Sequence, residues 1–223
     1  MNLSPAEKIE LIRLVDLSAR LKRENKLNYY QPYAKQQDFH AAGKGNRERL
    51  LMAGNRCGKT ECGAAEMAYH LTGLYPDWWE GRVFDYPIKA WAASVTSEMT
   101  REGVQQKLIG PPAIKERQGT GYIPKSTIGR VTMRQGIPDA IDTVLVRHVS
   151  GHDSVISFKS YDQGREKFQA TDMDIVWFDE EPPISIYTEG YTRTHDRKGI
   201  VYLTFTPLLG MSEVVRSFLM RER

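Results

Sequence analysis

Apolar side chains recur at Ile9, Leu11, Ile12, Leu14, Val15, Leu17 and Leu21, a spacing that predicts a helix from residue 5 to about Glu24. Ser4-Pro5-Ala6-Glu7 supplies its start, with Ser4 as N-cap, Pro5 at the first helical position and Glu7 as the other half of a capping box. So many apolar positions need a surface to cover, either the rest of the domain or a partner. A short apolar run at 49–52 predicts a strand, and the small-residue segment after it predicts a helix from Lys59 to a stop near Gly73, with Pro76 beyond. Residues 88–95, IKAWAASV, read as a buried strand, and 97–108 as the helix after it. From 110 to 136 the chain is rich in Gly, Pro, Lys and Arg without periodicity, which predicts a long surface excursion. Residues 143–149 and 154–160 alternate apolar and polar positions around a glycine-containing turn, the pattern of a hairpin. Two more short apolar runs, 173–179 and 200–205, predict strands. Strands and helices alternate on either side of the hairpin, so the expected fold is α/β: a mainly parallel sheet flanked by helices, with an antiparallel hairpin added.

At 223 residues, 40% hydrophobic and 26% charged, the chain has the size and composition of a globular α/β domain. A net charge of +3 is compatible with a polyanionic partner without requiring one. No apolar run reaches the length of a membrane span, and no signal-type core begins the chain, so no membrane role is expected. The two cysteines, Cys57 and Cys62, flank a lysine motif at a spacing set by loop and helix, which argues against a disulfide or a metal pair and for a reducing compartment.

The chemistry begins in RLLMAGNRCGKTECGAAEMAYHL, residues 49–71. A strand running into Gly-Lys-Thr and then into a helix is the arrangement that holds nucleotide phosphates. Backbone N–H groups point at the oxygens, a lysine meets the β and γ phosphates, and a hydroxyl takes Mg²⁺. Gly54, Asn55, Arg56, Cys57, Gly58, Lys59 and Thr60 are therefore the candidate nucleotide-binding loop. The usual pattern has glycine at position 53; Ala53 stands there and Gly54 comes one place late. A second motif is DIVWFDEE, 174–181. Asp179 at the strand end is the candidate metal ligand opposite Thr60, and Glu180 the candidate base that polarises the attacking water. A third is TFTP, 204–207, where Thr204 and Thr206 emerge at the carboxyl end of a strand and can sense the γ-phosphate or the catalytic carboxylate. A fourth is YYQPYAKQQDFH, 29–40, in which an amide between aromatics suits adenine; Gln36 is the first choice and Gln37 the second.

In this order, the glutamine-bearing aromatic segment, GNRCGKT, the hairpin, DIVWFDEEPP and LTFTPLLG make the chain resemble the ATPase domain of the large terminase subunit of tailed bacteriophages over about residues 29–210. The resemblance implies an additional-strand (ASCE) P-loop NTPase fold, ATP and Mg²⁺ as ligands, and ATP hydrolysis that drives double-stranded DNA into a procapsid. It also implies docking at the procapsid portal as a homo-oligomeric ring, the small terminase subunit as a partner, and a place in the host cytoplasm during virus assembly. In isolation the domain is expected to be a monomer. Arg56 looks like the arginine that the family carries inside its phosphate loop, and Thr204-x-Thr206-Pro207 looks like its coupling motif. A large terminase also carries a nuclease domain with no counterpart in these residues, so the chain reads as a motor domain, with residues 1–45 as helix and adenine-side segment and 46–223 as ATPase core.

An arginine offsetting charge on the transferred phosphoryl group is expected from Arg56 in the same subunit, or from Arg101 or Arg165 acting on a neighbour. His148 and His152 have the spacing of a metal pair but lack two further ligands. Trp78 and Trp79 read as local core rather than a base-stacking site, and Lys115, Arg117, Lys125, Arg130 and Arg134 as a solvated basic excursion that DNA phosphates would suit. Two rivals remain: a superfamily 2 helicase-like DNA-dependent ATPase, which needs a second α/β domain, and a nucleotide-binding module without turnover, which needs no Glu180.

Overall fold

A computed structural model of the chain describes residues 4–169, 171–208 and 210–220. Helix α1 (Pro5–Glu24) forms where its periodicity predicts, and both halves of the capping box are made: the Ser4 hydroxyl accepts from the Glu7 N–H at 3.3 Å, and the Glu7 carboxylate accepts from the Ser4 N–H at 2.7 Å. The domain does not supply the cover its apolar side chains require. No residue of α1 is buried, and Ile9 and Ile12 are 68% and 63% exposed.

Helix α2 (Ala34–Ala42) leads into β1 (Glu48–Met52) and α3 (Lys59–Thr72). Next come β2 (Lys89–Ser94) and a helical passage built of α4 (Ser97–Met99), a π-helical turn (Thr100–Gln105) and α5 (Gln106–Ile109). The antiparallel part is β3 (Ile128–Met133), β4 (Ile141–Arg147) and β5 (Asp153–Ser160); β6 (Ile175–Asp179), α6 (Ile184–Arg193), β7 (Ile200–Phe205) and α7 (Glu213–Leu219) follow. Among the described residues the strands make one seven-stranded sheet in the order β1-β7-β6-β2-β5-β4-β3. Pairing is parallel from β1 through β5 and antiparallel beyond it. The sheet is thus mainly parallel with an antiparallel addition, and β7 lies between the strand of the phosphate loop and the strand of the acidic motif.

Both faces of the parallel part are covered, which is why its strands are continuous apolar runs rather than alternating ones. Ile175, Trp177, Ile200 and Tyr202 face one layer with α3, while Val176, Phe178, Val201, Leu203 and Phe205 face the other with Ile186 and Val215. Full burial of one such side chain is worth about 1.5–3 kcal/mol. All of α3 except Thr60 and Glu61 is buried. It lies flat on the sheet because Gly63 has no side chain: a Cβ there would stand 2.6 Å from the Trp177 indole, and the Tyr202 hydroxyl donates to the Gly63 carbonyl at 2.9 Å. Gly73, at φ 73°, ends the helix in the left-handed conformation that glycine adopts without strain.

The 110–136 segment departs from expectation. It contains β3, the edge strand paired antiparallel to β4, and its Tyr122 and Ile123 are buried in the α3-side core. IGRVTM lacks an apolar alternation because most of its side chains are exposed, so pairing with β4 rather than side-chain burial defines the strand. The basic excursion divides accordingly. Lys125 pairs with Glu24 at 3.0 Å, while Arg134 turns inward to the Ser97 hydroxyl and the Phe158 carbonyl. Trp78 and Trp79 pack against the core as expected. Among the described residues no helix is long and apolar enough to cross a membrane.

Candidate nucleotide site

The loop from Ala53 to Gly58 leaves β1 and enters α3 through two residues in the left-handed region, Arg56 at φ 61° and Gly58 at φ 75°. Gly58 adopts this freely; Arg56 does so at a cost of about 1–2 kcal/mol. Lys59 is buried and its Nζ donates to the Gly54 carbonyl at 2.7 Å, closing the loop on itself. Cys57 is exposed and Cys62 buried, both as free thiols. Arg56 lies exposed in the loop, with no hydrogen bond or ion pair to any described residue.

Thr60 is one residue into α3, and its hydroxyl lies 3.0 and 3.2 Å from the two carboxylate oxygens of Asp179 at the end of β6. The neighbouring strand completes the setting. Asp179 and Thr204 are register partners, the Thr204 hydroxyl donates to Asp179 Oδ1 at 2.7 Å, and the Trp177 indole N–H donates to that hydroxyl at 2.8 Å. Burial raises the Asp179 carboxyl to about 6 despite the bonds from Thr204 and Thr60 that favour its ionised form. The π-helical turn brings Gly103 beside it, where a Cβ would lie 4.0 Å from Asp179 Oδ2. A hydroxyl, a carboxylate and an adjacent wall without a side chain suit a hard divalent cation that keeps most of its waters.

Glu180 follows at φ 69°, a left-handed conformation in a residue other than glycine. Its N–H donates to the Thr204 carbonyl at 3.0 Å. The Tyr161 hydroxyl lies 2.8 Å from the Glu180 carbonyl and 3.2 Å from that of Asp179. Burial, with the charges of Asp179 and Glu180 nearby, holds the Tyr161 phenol well above its ordinary range, so it remains a donor. Thr206, the second threonine of the motif, donates to Asn55 Oδ1 in the phosphate loop at 3.0 Å.

Gln36 reaches the loop from α2. Its Nε2 donates to the Gly58 carbonyl at 3.0 Å, and its Oε1 accepts from the Tyr33 N–H at 2.9 Å. Beside it opens a cavity of about 440 Å³ whose lining includes Tyr29, Tyr33, Gln36, Gly58, Glu61 and Tyr122. Gln37 instead lines a separate hollow with Asp38 and Trp78. The other two candidate arginines have partners of their own: Arg101, in the π-helical turn that contains Gly103, is bonded to Glu102 and to the Pro138 carbonyl, and Arg165 pairs with Glu189 on α6.

One polar cluster has no counterpart in the sequence reading. Glu66 in α3 is fully buried and bonded by the Arg49 guanidinium, His40 and His70. Burial alone would raise its carboxyl, but Arg49 and the histidines hold it well below the ordinary range. From His40 the bonds continue through the Tyr30 hydroxyl toward Gln36. The signal was a glutamate and a histidine four apart in an otherwise apolar helix. Tyr161, just past β5, was also missed; SYDQG carries nothing that marks it.

A phosphate-type loop after β1, a carboxylate at the end of β6 and a strand inserted between them define a P-loop NTPase fold of the additional-strand class. The family model for the terminase large subunit, T4likevirus-type, N-terminal, matches residues 50–223, and the chain belongs to that family. It is 40% identical over 235 residues to the large terminase subunit of Salmonella phage P22, covering 98% of this chain and 47% of that protein. The large subunit of Enterobacteria phage LP7 is 27% identical over 98% of the chain and 49% of its own length. The chain thus spans about half the length of the curated relatives it matches. Among solved structures, the large terminase from a thermophilic bacteriophage in complex with ADP superposes with a TM-score of 0.52 at 13% identity, over 85% of this chain and 50% of that one. A second crystal form of the same thermophilic phage protein gives 0.51 at 12% identity, over 86% and 50%.

Proposed function

We propose that the chain binds ATP with Mg²⁺ and hydrolyses it, and that the turnover drives double-stranded DNA into a viral procapsid. The observation that carries the reading is the Thr60 hydroxyl within hydrogen-bonding reach of both Asp179 carboxylate oxygens, with Glu180 the next residue. In this reading Lys59 leaves the Gly54 carbonyl for the β and γ oxygens, and the N–H groups of residues 54–60 line the phosphates. Mg²⁺, held by Thr60 and Asp179, would neutralise charge on the β and γ oxygens. Glu180 accepts a proton from the attacking water as the water oxygen bonds to the γ-phosphorus and the bond from that phosphorus to the β–γ bridging oxygen breaks, with ADP as the leaving group. Gln36 sits at the base end of the site, next to the cavity beside Gly58. Arg56, exposed in the loop, would offset charge on the phosphoryl group from within the subunit, and Arg101 or Arg165 would do so on a neighbouring subunit. The complex of the thermophilic phage terminase with ADP supports the nucleotide part of this reading.

By the same reading the partners are DNA, the procapsid portal and the small terminase subunit, with a homo-oligomeric ring formed on docking, a monomer in isolation, and the host cytoplasm as the setting. Phosphate release measured with and without double-stranded DNA tests it, alongside Glu180→Gln. Turnover in the parent, lost in that variant, is expected; a parent that binds ATP without releasing phosphate under any DNA condition would refute hydrolysis by this chain.

A further inference from the structure

We infer that Tyr161 is a positioning residue for the reaction: its hydroxyl holds the left-handed backbone of Glu180 and so aims the Glu180 carboxylate at the attacking water. The inference rests on the reading of Glu180 as the base. Glu180 has φ 69°, where a side chain with a Cβ is disfavoured, so the conformation persists only if its surroundings fix it. Two contacts do so from opposite sides. The Glu180 N–H is bonded to the Thr204 carbonyl on β7, and the Glu180 carbonyl accepts from Tyr161, which follows β5. The phenol has one proton, and the Glu180 carbonyl at 2.8 Å is nearer than those of Asp179 at 3.2 Å and Ala93 at 3.4 Å. Tyr161 is itself held. It is buried, and its ring packs against Phe178 with centroids 6.0 Å apart. Both peptide ends of Glu180 are thereby fixed, one by β7 and the other by the residue that follows β5, while Glu180 itself is half-buried. A base aimed by its backbone is sensitive to small rotations, and misplacement by about 1 Å can cost 10²-fold in rate.

The experiment is a double-mutant cycle in single-turnover hydrolysis by the full chain. Tyr161→Phe removes only the hydroxyl and keeps the packed ring. The expected result is a fall in the rate constant of roughly tenfold, with ATP affinity within about twofold of the parent, the split that a positioning loss gives. In the Glu180→Gln background the same change should add nothing, because there is no base left to aim. Parental turnover in Tyr161→Phe, a loss confined to ATP affinity, or a full multiplicative loss on top of Glu180→Gln would each overturn the inference. If Glu180→Gln alone turns over like the parent, the reading of Glu180 fails instead, and the two failures are distinguished. Should Tyr161→Phe not fold, replacing Tyr161 by 4-aminophenylalanine restores a donor on the same ring. Near-parental turnover there supports the inference, and a tenfold loss contradicts it.

Discussion

Asp179→Asn is expected to stabilise the nucleotide-free chain at pH 8 while abolishing its turnover. Burial raises the Asp179 carboxyl from 3.8 to about 6, so the ionised form that a cation requires is the form the fold tolerates less. A gap of about two units at roughly 1.36 kcal/mol each amounts to about 3 kcal/mol. Because the folded-state value is the raised one, this stabilisation is fully present below the unfolded value near 3.8 and is lost as pH rises through about 6. Asparagine retains an oxygen to accept from Thr60 and Thr204 and carries no charge at any pH. At pH 8 the variant should therefore exceed the parent by up to about 3 kcal/mol, roughly 6–12 °C in Tm for a chain of this length. At pH 5, with the native carboxyl largely protonated, about half of that advantage should remain. Thermal unfolding in EDTA at pH 8, 6.5 and 5 measures it. Adding Mg²⁺ and ATP should raise the Tm of the parent and leave the variant where it was. A variant no more stable than the parent at pH 8, or an advantage that does not shrink on acidification, would refute the argument.

Lys59→Ala should lose ATP binding by equilibrium titration, since the β and γ charges are left uncompensated in a loop closed around them; unchanged affinity would remove the phosphate loop from the proposal. Glu180→Gln should bind Mg²⁺-ATP like the parent yet hydrolyse it at least about 10²-fold more slowly, and if Glu181→Gln shows that loss instead, the base is the next residue. Gln36→Ala should weaken ATP binding and relax the preference for ATP over GTP, because it removes both the tether on the Gly58 carbonyl and the amide beside the cavity; competition binding that shows parental selectivity would exclude Gln36 from the base site. Thr206→Val should leave ATP hydrolysis by the isolated chain within about threefold of the parent while reducing any stimulation by DNA, and equal stimulation in both proteins would exclude Thr206 from coupling.

Where burial decides conformation, the sequence is legible. The strands at β2, β6 and β7 are apolar on both faces, the Ser4 capping box sets the start of α1, and Gly73 marks the end of α3. Where backbone pairing or tertiary contact decides it, legibility fails. β3 has exposed side chains on an edge, so its order comes from β4. The cover for α1 was inferred from its many apolar residues, yet those residues are spread around the helix and none is buried. The site follows the same division. The phosphate loop, Thr60 and Asp179 are adjacent in space because β1 and β6 run parallel with β7 between them, and local motifs announce both ends. Tyr161 depends on contacts between distant segments and carries no local mark of its partners; in the Glu66 cluster only His70, four residues on in the same helix, is marked locally, while His40 and Arg49 reach it from other segments.

The placement of β7 bears on how the two halves of the site communicate. At its carboxyl end the strand holds both neighbouring loops by main chain: the Ala53 N–H bonds to the Phe205 carbonyl at 3.4 Å and the Glu180 N–H to the Thr204 carbonyl at 3.0 Å. Its side chains repeat the division, Thr204 on Asp179 and Thr206 on Asn55. Thr204 is buried and receives a further bond from Trp177, so it is suited to fix the carboxylate rather than to move with it. Thr206 is only half-buried and donates to Asn55, a residue of the loop whose N–H groups would line the phosphates on the proposed function. On the proposed function, a change in the loop would reach the chain after β7 through Thr206, while Thr204 holds Asp179 in place. That asymmetry is the reason Thr206, and not Thr204, is the position at which hydrolysis and DNA stimulation should separate.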